Sequence, residues 1–242
     1  METTIEVNHL CKAYGRVNAV NDICFSVRRG EIFGLLGANG AGKSTVIECI
    51  LGTKKYHSGS VAILGMNPVT ERKKVFEQVG VQFQEANYQD QIRVGELCEV
   101  TASLYKTHSD YRLLLSQFDL TDKIKSPVRE LSGGQKQRLF IVLALIPAPE
   151  VIFFDELTTG LDPKARRDVW KSLSELKGKG MTILLSSHFM DEVEALCDRI
   201  MILKKGECIF CGTVEQAIVE SPFDKFEDSY LWFSEGASYE SI

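Results

Sequence analysis

The sequence predicts an α/β chain in which a largely parallel sheet is covered by helices on both faces. Three observations lead there. Val151-Ile152-Phe153-Phe154 and Thr182-Ile183-Leu184-Leu185-Ser186 are continuous apolar runs, the pattern of strands buried on both sides. Between them, Asp162-Pro163 reads as a helix start and Lys177-Gly178-Lys179-Gly180 as its end, the alternation a parallel sheet needs. Upstream, the apolar stretch Ile32-Phe33-Gly34-Leu35-Leu36 reads as a strand, and Lys43 to Leu51 as a helix. The segment joining them, residues 37–44, fits G-x-x-x-x-G-K-[ST].

The remaining elements follow in chain order. Ile5-Glu6-Val7 and Ile23-Cys24-Phe25-Ser26-Val27 are short strand-like runs, and Arg29-Gly30-Glu31 is the turn before the next strand. Gly59 to Gly65 is a further strand-like run. Residues 92–126 are helical in pattern, with apolar positions at Leu113, Leu114, Phe118 and Leu120 and helix-start signals at Ser109 and Thr121. A helix is expected from Ser132 to Ile146, with Ser132 as N-cap and Pro147 as the stop. No internal repeat, low-complexity segment or long linker divides the chain. One domain is expected over 1–235, with 236–242 a frayed tail.

Composition excludes several classes. At 44% hydrophobic and 25% charged, the chain reads as an ordinary globular one. A formal net charge of -5 argues against a generic nucleic-acid binder, so no nucleic-acid partner is expected. Seven scattered cysteines suit a reducing compartment. Cys208-Ile209-Phe210-Cys211 lacks a second cysteine pair and reads as a strand, which would point the two thiols to opposite faces; zinc is not expected there. No signal peptide is visible, and the longest apolar run, Leu139 to Ile146, falls far short of the ~20 residues of a membrane span.

The chemistry lies in three segments. In Gly37-Ala38-Asn39-Gly40-Ala41-Gly42-Lys43-Ser44 the glycines let the backbone wrap a phosphate without a Cβ in the way. Successive N–H groups and the helix N-terminus then supply positive potential. Lys43 can reach β and γ phosphates, and the Ser44 hydroxyl can ligate Mg²⁺. Ser132-Gly133-Gly134-Gln135 is a second anion site at a helix start. One nucleotide does not need two such sites in one chain; two chains facing each other would. Asp155-Glu156 ends an apolar strand at the sheet's ligand edge. Asp155 can hold the Mg²⁺ shell, and Glu156 is the candidate to orient and deprotonate an attacking water.

With these motifs in this order, the chain resembles the ATP-binding subunits of the ABC transporter superfamily. The resemblance runs from about residue 4 to 235, and Leu131 to Gln135 match its LSGGQ signature. It implies a P-loop NTPase core with an N-terminal antiparallel β portion and an inserted helical subdomain, about 87–145, carrying the signature. It implies ATP and Mg²⁺ as ligands, held by Gly37 to Thr45 with Ser44, Gln84 and Asp155 near the metal. Tyr14 matches the aromatic that stacks on adenine. Gln84 matches the Q-loop glutamine, although Gln82 competes for the role. Gly160-Leu161-Asp162 match the D-loop, and His188 matches the switch histidine. Leu157 departs from the commoner proline after the catalytic glutamate; it bears on turn rigidity, not on metal or water. The resemblance further implies a second ATP-binding subunit, with a homodimer expected, and a separate transmembrane permease subunit. Ser132 to Gln135 would then serve the partner's nucleotide. The expected place is cytoplasmic, on the inner face of the cell membrane. The group it looks most like is the exporter type, including drug, antibiotic and sodium efflux systems. The alternative is a soluble ABC-type ATPase of repair, chromosome organisation or translation. Only Glu85 to Glu130 separates Gln84 from Leu131, with no room for the long coiled coil of the first two, and translation types usually carry two ATPase domains.

Overall fold

The computed structural model describes residues 2–82, 88–89 and 91–236. The chain opens as a ribbon of β1 (Thr3–Tyr14) and β2 (Val17–Arg28), antiparallel. Ile5, Val7 and Leu10 of β1 and Val20, Ile23 and Val27 of β2 are buried, so this layer has one apolar face. Next come β3 (Ile32–Leu36), α1 (Lys43–Ile50) and β4 (Ser58–Ile63). β4 pairs with the other edge of β1, giving a three-stranded sheet of order β2-β1-β4. The sequence run to Gly65 stops as a strand at Ile63. Leu64 and Gly65 both take positive φ and turn the chain back, closed by the Ile63–Met66 bridge.

After α2 (Arg72–Phe76) comes β5 (Val79–Gln82). A helical stretch follows: α3 (Val94–Ser103), α4 (Tyr111–Gln117) and α5 (Gly133–Leu145). The chain continues through β6 (Val151–Asp155), α6 (Pro163–Gly178), β7 (Thr182–Ser187), α7 (Met190–Leu196), β8 (Arg199–Lys204) and β9 (Glu207–Gly212). It ends in α8 (Val214–Glu220) and α9 (Phe226–Glu235). The main sheet has order β5-β6-β7-β3-β8-β9, parallel except for β9.

The apolar runs read from the sequence are buried on both faces. Val151 and Phe153 pack with α1 and the antiparallel ribbon, while Ile152 and Phe154 pack with α5 and α6. That split is the two-residue period of a strand. Each fully buried phenylalanine contributes about 1.5–3 kcal/mol relative to exposure. A third apolar cluster joins Leu36, Ile200 and Ile202 to α7, α8 and α9. Among the described residues no helix is long and apolar enough to cross a membrane.

The structure corrects three further sequence expectations. Helix α4 is capped by Asp110, whose carboxylate accepts from the Arg112 N–H at 2.8 Å, and not by Ser109. Thr121 opens a single 3₁₀ turn, Thr121–Lys123, in which the Lys123 and Ile124 N–H groups reach back three residues to the Leu120 and Thr121 carbonyls. In β9, Ile202 pairs with Phe210 but Leu203 pairs with Cys208, so Ile209 is an extra, bulged residue. The bulge resets the alternation, and Cys208 and Cys211 are both exposed instead of lying on opposite faces.

Candidate functional site

The carboxyl ends of three neighbouring strands converge at one edge of the main sheet. Leu36 at the end of β3 lies opposite Ser187 of β7, and Asp155 at the end of β6 lies opposite Ser186. The glycine loop, the Asp155-Glu156 pair and His188 therefore meet, though they are far apart in sequence. The meeting point is a cleft of about 590 Å³ lined by Tyr14, Ala19, Asn39, Gly40, Gly42, Lys43, Ser44, Thr45, Glu156, Thr159 and His188.

The loop is shaped by glycine. Gly42, the N-cap of α1, has φ 110°, and a Cβ there would lie 2.4 Å from the Ala19 carbonyl oxygen. Gly37 has φ 153°, with a Cβ 2.6 Å from the Leu203 carbonyl oxygen. No side chain caps α1, so the helix start offers its backbone N–H groups to the cleft. Lys43 is only 5% exposed. Its ammonium donates to the carbonyls of Gly37 (2.8 Å) and Ala38 (3.4 Å) and lies 3.6 Å from Glu156 Oε1.

The acidic pair is held by Ser186. The Ser186 hydroxyl donates to Asp155 Oδ1 at 2.5 Å and accepts from the Glu156 backbone N–H at 3.0 Å. Asp155 is 4% exposed and Ser186 1%. Glu156 sits in the left-handed region at φ 53°, a conformation that costs a non-glycine residue of order 1–3 kcal/mol. Its N–H bonds to the Ser186 hydroxyl and carbonyl offset that strain. Glu156 Oε1 is 3.6 Å from His188 Nδ1, and Oε2 accepts weakly from Thr159 at 3.5 Å. One carboxylate thus stands between the loop lysine and the histidine. Tyr14 lies at the mouth, 45% exposed, with the ammonium groups of Lys12 and Lys54 at 4.8 and 5.6 Å from its ring centre.

Ser132 to Gln135 do not join this cleft. They start α5, where Ser132 Oγ accepts from the Gln135 N–H and Gln135 Oε1 accepts from the Ser132 N–H. With Gly160, Leu161 and Asp162 they line a separate hollow of about 330 Å³. Leu157 is buried in the core below the turn. Gln82, the competitor for Gln84, is a buried strand residue opposite Phe154. Gln84 lies outside the described residues. Sequence reasoning missed Ala19, Thr159 and Ser186 as parts of the site. Only Ser186 had a visible signal, in the Ser186-Ser187-His188 run at a strand end.

A model of the ABC transporter family matches residues 20–159, more than half of the chain. The chain belongs to the ABC transporter family. It is an ATP-binding subunit of that family and an ATPase. The chain is 37% identical over 214 residues to the linearmycin resistance ATP-binding protein LnrL of Bacillus subtilis, covering 86% of this chain and 69% of that protein. It is 38% identical over 223 residues to the Nod factor export ATP-binding protein I of Rhizobium etli, covering 90% and 71%. A solved structure described as the ATP binding subunit of an ABC transporter superposes on this ABC subunit with a TM-score of 0.85 at 29% identity, covering 95% of this chain and 99% of that one. ATP-binding subunits of this family dimerise and work with membrane permease components.

Proposed function

We propose that this ABC subunit drives export, with residues 1–235 acting as one ATPase domain whose helical part, about 87–145, carries the signature. Two chains close head to tail over two ATP molecules and move a separate permease, which holds the subunit on the inner face of the cell membrane. The relatives named for resistance and export support that direction of transport. The observation that carries the active-site reading is Glu156 Oε1, 3.6 Å from both Lys43 Nζ and His188 Nδ1.

In this reading the loop N–H groups of residues 37–45 and Lys43 bind the phosphates. Glu156 accepts the proton of the attacking water, and His188 and Gln84 contact the γ-phosphate or its water. Tyr14 stacks on adenine. Ser44 and Asp155 are hard oxygen donors, few in number, which suits an ion that keeps most of its waters and shares the phosphates, as Mg²⁺ does. With Gln84 they would hold Mg²⁺, which when bound neutralises charge developing on the phosphates. Asp155 is kept in place for that role by Ser186. The separate hollow containing Ser132 to Gln135 supports a signature that serves the partner's ATP. A non-transport ATPase is not favoured by the relatives.

Glu156→Gln tests the reading. It should keep ATP affinity, shift the protein from monomer to dimer only with ATP, and slow turnover by about 10²–10⁴-fold, the usual share of a general base. Turnover at the parent rate would refute the role of Glu156.

A further inference from the structure

Beside the cleft lies a buried carboxylate that the mechanism above does not use. Glu192, in the first turn of α7, is 3% exposed. Its Oε2 accepts from the Ser187 hydroxyl at 2.5 Å, and its Oε1 accepts from the Trp170 indole N–H of α6 at 3.0 Å. Ser187 Oγ in turn accepts from the Phe189 backbone N–H at 3.1 Å, closing the turn that contains His188. The same turn is gripped from a second side. The guanidinium of Arg166, also on α6, lies 3.8 Å from the centre of the Phe189 ring, which packs 4.2 Å from the His188 ring. Arg166 also pairs with Asp191 at 3.3 Å.

An apolar side chain would fill the Glu192 position at less cost, because a buried carboxylate loses its hydration. Burial does push the Glu192 carboxyl above the usual carboxylate range, against the hydroxyls of Ser187 and Thr158, the Trp170 indole and the charge of Arg166. What the carboxylate provides is geometry. Its oxygens accept from one donor on the His188 turn and one on α6, with the Thr158 hydroxyl also against the carboxylate. Helix α6 is capped by Asp162, directly after Gly160-Leu161 in the hollow shared with the signature residues.

We propose that Glu192 is a positioning residue for His188: it ties the His188 turn to α6, so that movement of α6 at the signature hollow is transmitted to the nucleotide cleft. The proposal rests on the reading of His188 as a group that contacts the γ-phosphate. In Glu192→Gln the oxygen facing Ser187 becomes an amide NH2, so the charge-assisted acceptor is lost and the Ser187 hydroxyl must reverse to keep any bond, which weakens that tie with almost no change in volume. Ser187→Ala removes the tie from the other end and leaves the carboxylate in place.

The experiment measures ATP turnover and nucleotide affinity on the full chain for Glu192→Gln, Ser187→Ala, His188→Ala and the Glu192→Gln/His188→Ala double variant. A misplaced group loses rate rather than affinity. Glu192→Gln and Ser187→Ala should each lower kcat about tenfold or more, with nucleotide Kd within about twofold of the parent. In the His188→Ala background, Glu192→Gln should cost nothing further. Equal losses in both backgrounds would mean a general structural role and overturn the proposal, as would a parental kcat for Glu192→Gln beside a slow His188→Ala. If His188→Ala itself turns over at the parent rate, the reading of His188 fails and takes the proposal with it. Should Glu192→Gln not fold, Ser187→Ala alone and with His188→Ala carries the same comparison.

Discussion

Ser186→Ala removes one oxygen atom and should damage both folding and turnover. The Ser186 hydroxyl is the only side-chain donor to Asp155 among the described residues' hydrogen bonds, and both groups are almost fully buried. A hydrogen bond to a charged group contributes about 1.5–3 kcal/mol. The bond from the Glu156 N–H is partly replaced, because that N–H also reaches the Ser186 carbonyl at 3.2 Å; its loss adds no more than about 0.5 kcal/mol. The expected destabilisation is therefore about 2–3 kcal/mol, or about 4–12 °C in Tm for a chain of this size. Urea unfolding followed by circular dichroism, without nucleotide, reads the first quantity. The second is kcat, which should fall at least about tenfold because Asp155 and Glu156 lose their common anchor. A stability change inside about 0.5 kcal/mol, the range of an ordinary surface substitution, together with parental kcat, would refute the argument that Ser186 holds the acidic pair.

Two further outcomes are expected. Gly42→Ala brings a Cβ against the Ala19 carbonyl at φ 110°, a strain of order 1–3 kcal/mol. Nucleotide titration should show ATP affinity lowered at least about tenfold, and unchanged affinity would count against the loop geometry. Burial pushes the thiols of Cys49 and Cys98 up to about 11 and about 12, and that of Cys197 up as well. A raised pKa leaves less thiolate at any lower pH, so at about pH 8 these three should resist DTNB until denaturant is added. Rapid reaction of all seven cysteines in the native protein would contradict that burial.

The parts legible in the sequence are those where one local pattern has one physical meaning. The glycine loop could be read because a strand, a tight phosphate turn and a helix start are adjacent in the chain. The α5 start was equally readable, since Ser132 and Gln135 cap each other within four residues. The boundary errors have local causes too: Asp110 out-competes Ser109 as a cap, and the bulge at Ile209 cannot be seen in a two-residue alternation. Thr159 and Glu192 were not legible, and of Ser186 only its place in the Ser186-Ser187-His188 run could be seen. Ser186 and Glu192 bond residues of other elements, Asp155 and Trp170, so their roles depend on tertiary packing, while Thr159, three residues from Glu156, carries no motif that marks its contact.

By itself, then, the sequence determined the α/β class, the burial of β6 and β7 on both faces, and the types of group available for chemistry. All of these depend on periodicity and on neighbours along the chain. Tertiary structure alone decided which groups meet. The order β6-β7-β3 sets the ends of three strands side by side. That order brings Glu156 to 3.6 Å from both Lys43 and His188 and puts Ser186 under Asp155. It also leaves Ser132 to Gln135 in a separate hollow. The physical reason is that a parallel sheet needs long crossovers between adjacent strands. Residues that touch at its ligand edge are therefore far apart along the chain, and no local pattern records their distance.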